Sequence, residues 1–157
     1  MRNSPYLREN PEGPIILLGH SMGGLVVKNA LILARDIPDF RGRIKCIFFL
    51  ATPHRGSDYA ATLNNIVTVS GIMSPRHLIN DDFGKYAKDT RIFSFYETLR
   101  MNLGIALSLI VEKNSAILGP GFANERVQYL NAKHRDICKF ESMDDPNYIT
   151  LKNALSS

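Results

Sequence analysis

No stretch of this 157-residue chain approaches the roughly 18 consecutive apolar residues that a membrane-spanning helix requires. Cysteine is scarce. Cys46 and Cys138 lie far apart, and neither belongs to a Cys-x-x-Cys pair or a Cys/His ligand spacing, so no metal site is expected. Two reduced thiols point instead to an intracellular protein, cytoplasmic or peripheral to an organelle membrane. Charge is not massed: the net charge is only +4, and basic residues such as Arg41, Arg43, Lys45, Arg76 and Arg135 are scattered. With no recognition motif beside them, nucleic acid is not an expected partner. Internal repeats and low-complexity tracts are absent. The opening "MRNSPYLRENPEGP" is polar and broken by proline, unlike a signal peptide.

What is present is enough chain for one domain with a proper core. Ile15–Leu18 is apolar on both faces, as a parallel strand covered by helices should be. Leu25–Ala34 reads as a buried helix, ended by Pro38 and Gly42 as breakers. "IKCIFFLA" (44–51) predicts a second strand, "RIFSFYE" (91–97) a third and "IALSLIVEKNSAIL" (105–118) a fourth. Asp145 and Pro146 mark the N-cap and first turn of a C-terminal helix. The pattern is α/β: a mostly parallel sheet flanked by helices, reading as the tail of such a sheet.

Between the first strand and the first helix stands Gly19-His20-Ser21-Met22-Gly23-Gly24. A nucleophilic serine must be exposed at a helix N-terminus, and a sharp strand-to-helix turn provides that at the cost of a strained backbone. Its neighbours must then be small, which G-x-S-x-G expresses in sequence. The competing readings of these glycines fail. A phosphate-binding loop needs Gly-Lys-Ser/Thr, whereas Leu25 follows Gly24, and the dinucleotide fingerprint G-x-G-x-x-G is missing. No cofactor is therefore expected.

A serine hydroxyl needs a base, and the base an acid to orient it. In α/β-hydrolases these follow the serine in the order acid, then histidine. Of the four histidines, His20 lies within the elbow, His54 follows the second strand and His77 sits in a mixed segment. His134, after the last strand, is where this arrangement places its base. Glu97, at the end of the strand before the last, is the matching acid. Asp58, after the second strand, is the alternative acid. One oxyanion donor would be the N–H of Met22, at a helix N-terminus. The second normally comes from an upstream loop, and the fourteen residues before Ile15 offer none.

With these residues in place the chain resembles the serine esterase/lipase-like α/β-hydrolases grouped with GPI inositol-deacylase-like and "serine active site containing" proteins. It is most similar to hydrolase modules of fungal multidomain proteins. The resemblance rests on "LLGHSMGGLVVKNAL", "IFFLATPHRGSDYA", "IFSFYET", "IVEKNSAILG" and "HRDICKFESMDDPNY". It implies Ser21 as nucleophile, His134 as base and Glu97 as acid. His54, in the Thr52–Ser57 element beside the site, would either line the pocket or satisfy backbone groups in a tight turn, and His20, within the elbow, is a further pocket candidate. It also implies a carboxylic ester substrate, lipid esters among them.

Members of that group carry several strands before the elbow. The chain is therefore expected to be one partial domain, residues 1–157, lacking those strands and exposing an apolar sheet edge through which it would associate. Residues 60–88 would form a helical insert, read either as a lid with Ile72, Met73, Leu78 and Phe83 on its apolar face or as helices packed on the sheet. The alternative function is a truncated, non-catalytic hydrolase remnant serving as an interaction or fusion module.

Overall fold

The computed structural model describes residues 5, 9–55, 82–102, 107–108 and 111–157. Among these residues four parallel strands form the sheet: β1 (Ile15–His20), β2 (Ile44–Leu50), β3 (Arg91–Glu97) and β6 (Glu125–Leu130), in the order β1-β2-β3-β6. Parallel neighbours need crossovers, and these carry the helices. Helix α1 (Gly23–Leu33) and the short α2 (Pro38–Arg43) link β1 to β2, and α4 (Pro146–Ser156) closes the chain. No helix among the described residues is long and apolar enough to cross a membrane.

Alternation along the strands sorts their side chains into two cores. Ile47 and Phe49 of β2 and Ile92 of β3 join Leu17 of β1, Leu31 of α1 and Phe83 on one face. Cys46, Phe48 and Leu50 join Phe93, Phe95, Leu130 and the α4 residues Leu151 and Ala154 on the other. Phe48 stacks on Phe93 with centroids 4.9 Å apart. The central strands are buried on both sides, which is why they read as unbroken apolar runs. β1, at the sheet's edge among the described residues, is different: Ile16 and Leu18 are half exposed.

Three sequence expectations need correction. Residues 105–118 are not one strand. They divide into β5 (Leu107–Ser108), paired antiparallel with β4 (Met101–Asn102), and a single helical turn, α3 (Lys113–Ala116). Val111, Ala116 and Leu118 are apolar because they fill the core from an irregular segment.

The fourth strand of the sheet is instead β6, whose polar sequence "ERVQYL" gave no apolar run. Its opening Glu125 is a bracing residue: the carboxylate accepts from Ser94 Oγ at 2.5 Å, Leu118 N at 2.9 Å and Gly119 N at 3.3 Å. An edge strand needs no apolar residue at such a place.

Pro38, finally, starts a helix rather than only ending one, because its fixed φ suits a first helical turn. Of the 60–88 insert, residues up to 81 lie outside the described residues. Residues 82–86 are helical, and Phe83 is fully buried, edge-on to Phe49 at 5.9 Å, so this end packs on the sheet.

The approach of α1 to the strand ends positions everything that follows. A Cβ on Gly19 would lie 2.6 Å from Gly24 Cα, and one on Gly24 would overlap the Thr52 side chain. Thr52 itself is buried and donates from Oγ1 to Gly19 O at 3.3 Å. Around Gly23 a Cβ would meet nothing within 4 Å among the described residues. The steric demand therefore falls on Gly19 and Gly24, not on the second glycine of G-x-S-x-G. Gly24→Ala should lower the melting temperature by several degrees, in line with about 1–3 kcal/mol for overpacking. Gly23→Ala should leave it unchanged or slightly raised, because alanine favours a helix over glycine by about 1 kcal/mol. Thermal melts of both variants check this, and equal destabilisation would contradict it.

Lys28 of α1 is fully buried, with Nζ 5.4 Å from the Phe83 ring centroid and 5.7 Å from that of Phe49. Burial pushes its pKa down to about 7, against the opposing pull of the Glu125 charge. Between about 7 and the ordinary value of 10.5, the unfolded chain holds a proton here that the folded chain does not. Stability should thus rise with pH across that window. Lys28→Met should flatten this rise and melt higher than the parent at pH 7. A melting temperature whose pH slope is unaltered by the substitution would show that Lys28 is not its source.

Candidate active site

The four parallel strands described end on the same side, and the candidate site residues lie at or just beyond those ends. Ser21 follows β1 directly. Its backbone is left-handed, with φ of 52°, a conformation that costs a residue bearing a Cβ roughly 1–3 kcal/mol. Main-chain bonds hold it there: Ser21 N donates to Leu50 O at 2.9 Å, and Ser21 O accepts from Gly24 N at 3.1 Å as α1 begins. Ala51, at the end of β2, repeats the device with φ of 43° and its N–H on Phe95 O at 2.7 Å.

Glu97 is the last residue of β3 and is buried. Its Oε1 accepts from Val111 N at 3.0 Å. Its Oε2 lies 2.6 Å from His134 Nδ1. His134 follows β6 by four residues, in the connection to α4, and is nearly buried. Its other ring nitrogen, Nε2, is 3.0 Å from Ser21 Oγ. A carboxylate only accepts, so the Nδ1–H donates to Glu97 and the Nε2 lone pair is left to face the serine hydroxyl. Three residues from three strand ends thus form one chain of hydrogen bonds.

Met22 is the N-cap of α1, where the helix dipole is positive. Among the described residues its N–H has no acceptor, and it sits one residue beyond Ser21.

His20 donates from Nε2 to the main-chain O of His134 at 3.0 Å, and the two rings lie 5.1 Å apart. Its pKa is lowered, chiefly by burial, with the hydrogen bond to His134 opposing.

His54 is placed differently. Its ring is buried edge-on against Phe49 at 4.6 Å. Burial first, then the charges of Lys28 and Arg55, hold its pKa well below the ordinary range, so it is a neutral core residue. Its main-chain N–H donates to Ser115 O at 2.7 Å, and Arg55 Nε donates to Ile117 O at 3.1 Å, tying the Thr52–Arg55 corner to the chain after Val111. Asp58, the alternative acid, lies outside the described residues.

Among the features without a sequence signal are the Val111 main-chain donor to Glu97, the Thr52 clamp and the strained Ala51. The first is a backbone group, which no side-chain pattern encodes. Among the described residues, no group of three or more His, Cys, Asp or Glu is placed to hold a metal ion.

Residues 4–70 match the family described as PGAP1-like alpha/beta domain. Protein SERAC1 of Danio rerio is 33% identical over 151 residues, 85% of this chain. Protein SERAC1 of Bos taurus is 33% identical and that of Homo sapiens 30% identical, each over 147 residues and 83% of this chain. The chain spans 22% of the length of each of these relatives. A parallel sheet flanked by helices, the strand-to-helix elbow and these two kinds of likeness agree: the fold is of the α/β-hydrolase type, and residues 4–70 are similar to the PGAP1-like alpha/beta domain.

Proposed function

We propose that the chain is a serine hydrolase of carboxylic esters, with Ser21 as nucleophile, His134 as general base and Glu97 as the acid that orients it. One observation carries this reading: the continuous hydrogen-bond line from Ser21 Oγ through the His134 ring to Glu97, at 3.0 and 2.6 Å. Burial of Glu97 and its second bond to Val111 N support it, because an orienting acid must itself be held.

The steps follow from those positions. Ser21 Oγ attacks the ester carbonyl carbon while His134 Nε2 takes its proton. The oxygen that gains the negative charge is met by the Met22 N–H at the positive end of α1. Collapse breaks the carbon–oxygen bond to the alcohol, which leaves with the proton from His134. Water then enters, gives a proton to His134, attacks the acyl carbon and releases the acid, and the proton returns to Ser21. Glu97 fixes the tautomer of the neutral His134 ring and stabilises the imidazolium when it forms. Lipid acyl esters belong to the substrate range we propose, on the PGAP1-like family match.

A second reading, a hydrolase-derived module that associates without turnover, is favoured by the half-exposed Ile16 and Leu18 on β1, a sheet edge among the described residues.

Hydrolysis of p-nitrophenyl esters of short and long acyl chains separates the two. The serine-hydrolase reading expects turnover by the folded chain, reduced to background in Ser21→Ala and His134→Ala. Glu97→Gln should keep the fold and lose about 10³–10⁴-fold in kcat. Turnover that survives Ser21→Ala, or a folded chain that turns over no ester, would contradict it.

A further inference from the structure

The residue before a nucleophilic serine is free to vary as far as the turn is concerned, yet here it makes two contacts with one distant residue. His20 and His134 are separated by 114 positions in the chain, and His20 Nε2 reaches the main-chain oxygen of His134 at 3.0 Å. The two rings also meet at 5.1 Å with a 41° tilt. His134 lies in an irregular connection built of turns, held nearby by Asp136 N on Lys133 O and by the buried Ile137. Its ring is fastened at one point to Glu97 and its main chain to His20.

We propose that His20 is a positioning residue for the reaction: by clamping the main chain of His134, it sets the distance between His134 Nε2 and Ser21 Oγ. The proposal deepens the serine-hydrolase reading and rests on it for the chemistry. The geometry gives it force because clamp and nucleophile are adjacent on one rigid strand end. His20 is the last residue of β1 and pairs with Leu50 of β2, while Ser21 N bonds to Leu50 O. The loop bearing the base is thereby referenced to the same few atoms that hold the nucleophile.

A histidine suits the task chemically. As a neutral ring it offers one N–H donor to a carbonyl. Burial favours that neutral form, so no fixed positive charge sits beside the imidazolium that forms on His134. A displacement of about 1 Å at such a site costs up to about 10²-fold in rate.

The test compares His20→Ala, His20→Phe and His20→Gln with the parent. Phenylalanine keeps a ring and removes the donor; glutamine returns an N–H near the position of Nε2. Two properties are read beside the thermal melt. One is the downfield proton resonance of His134 Nδ1–H, expected from its 2.6 Å bond to Glu97. The other is the separation of kcat from KM on a p-nitrophenyl ester.

In the Ala and Phe variants we expect that resonance to broaden or vanish, and kcat to fall about ten- to a hundredfold with KM unchanged. His20→Gln should restore both. If His20→Ala fails to melt cooperatively, His20→Phe carries the comparison. Retention of resonance and kcat in the Phe variant, failure of Gln to restore what Phe loses, or absence of the resonance in the folded parent would each overturn the proposal. If the parent hydrolyses no ester, the serine-hydrolase reading fails, and the resonance comparison alone still decides whether His20 positions His134.

Discussion

The left-handed backbone of Ser21 is the constraint on which the site depends. It is held on one side by the Leu50 carbonyl of β2 and on the other by the first turn of α1. Turning that sharply brings α1 onto the end of β1, so Gly24 closes on Gly19 while Thr52 packs against Gly24 and bonds Gly19 O. The strain is of the order that a well-packed sheet offsets. Beneath the turn, Phe48, Phe49, Phe93 and Phe95 are buried completely or almost so. Ala51, one strand over, is bent in the same sense and hung from Phe95 O, so the ladder passes from β1 to β2 to β3 through two strained residues. A rigid sheet edge, rather than a flexible loop, therefore presents the serine.

The other two members of the hydrogen-bond line depend on the same edge. Glu97 ends β3 and pairs in register with Leu130 of β6, from which the chain runs on to His134. The segment after residue 110 braces them from one side. It offers Val111 N to Glu97 and the Ser115 and Ile117 carbonyls to the corner that follows β2. Glu125 ties that same segment to β6 through Leu118 N and Gly119 N. The residues that carry charge or protons are few, and the backbone groups that aim them are more numerous.

Legibility in the sequence followed physical cause. β2 and β3 were legible because burial on both faces leaves an apolar run, and the α4 cap because Asp145 does bond Asn147 N, at 2.8 Å. The elbow was legible because a strained turn demands glycine. Which glycines feel the demand was not, since that depends on where Thr52 arrives from another strand. β6 escaped because Glu125 and Arg126 serve contacts, with Ser94 and the Phe93 ring, that only the folded sheet creates. The end of the 105–118 stretch misled for the opposite reason: Val111, Ala116 and Leu118 are apolar for the core, in a part of the chain that joins no strand. The main-chain acceptor of His20 had no sequence signal at all.

On the proposed chemistry, this turn makes one oxygen, Ser21 Oγ, reactive. Peptide mapping by mass spectrometry after treatment with an alkyl fluorophosphonate tests it most directly, because phosphonylation requires an activated serine and leaves a stable mass on it. A single adduct on Ser21 is expected, formed by the folded chain and lost on heat denaturation before treatment. An adduct on another serine, or a folded chain that remains unmodified, would contradict it.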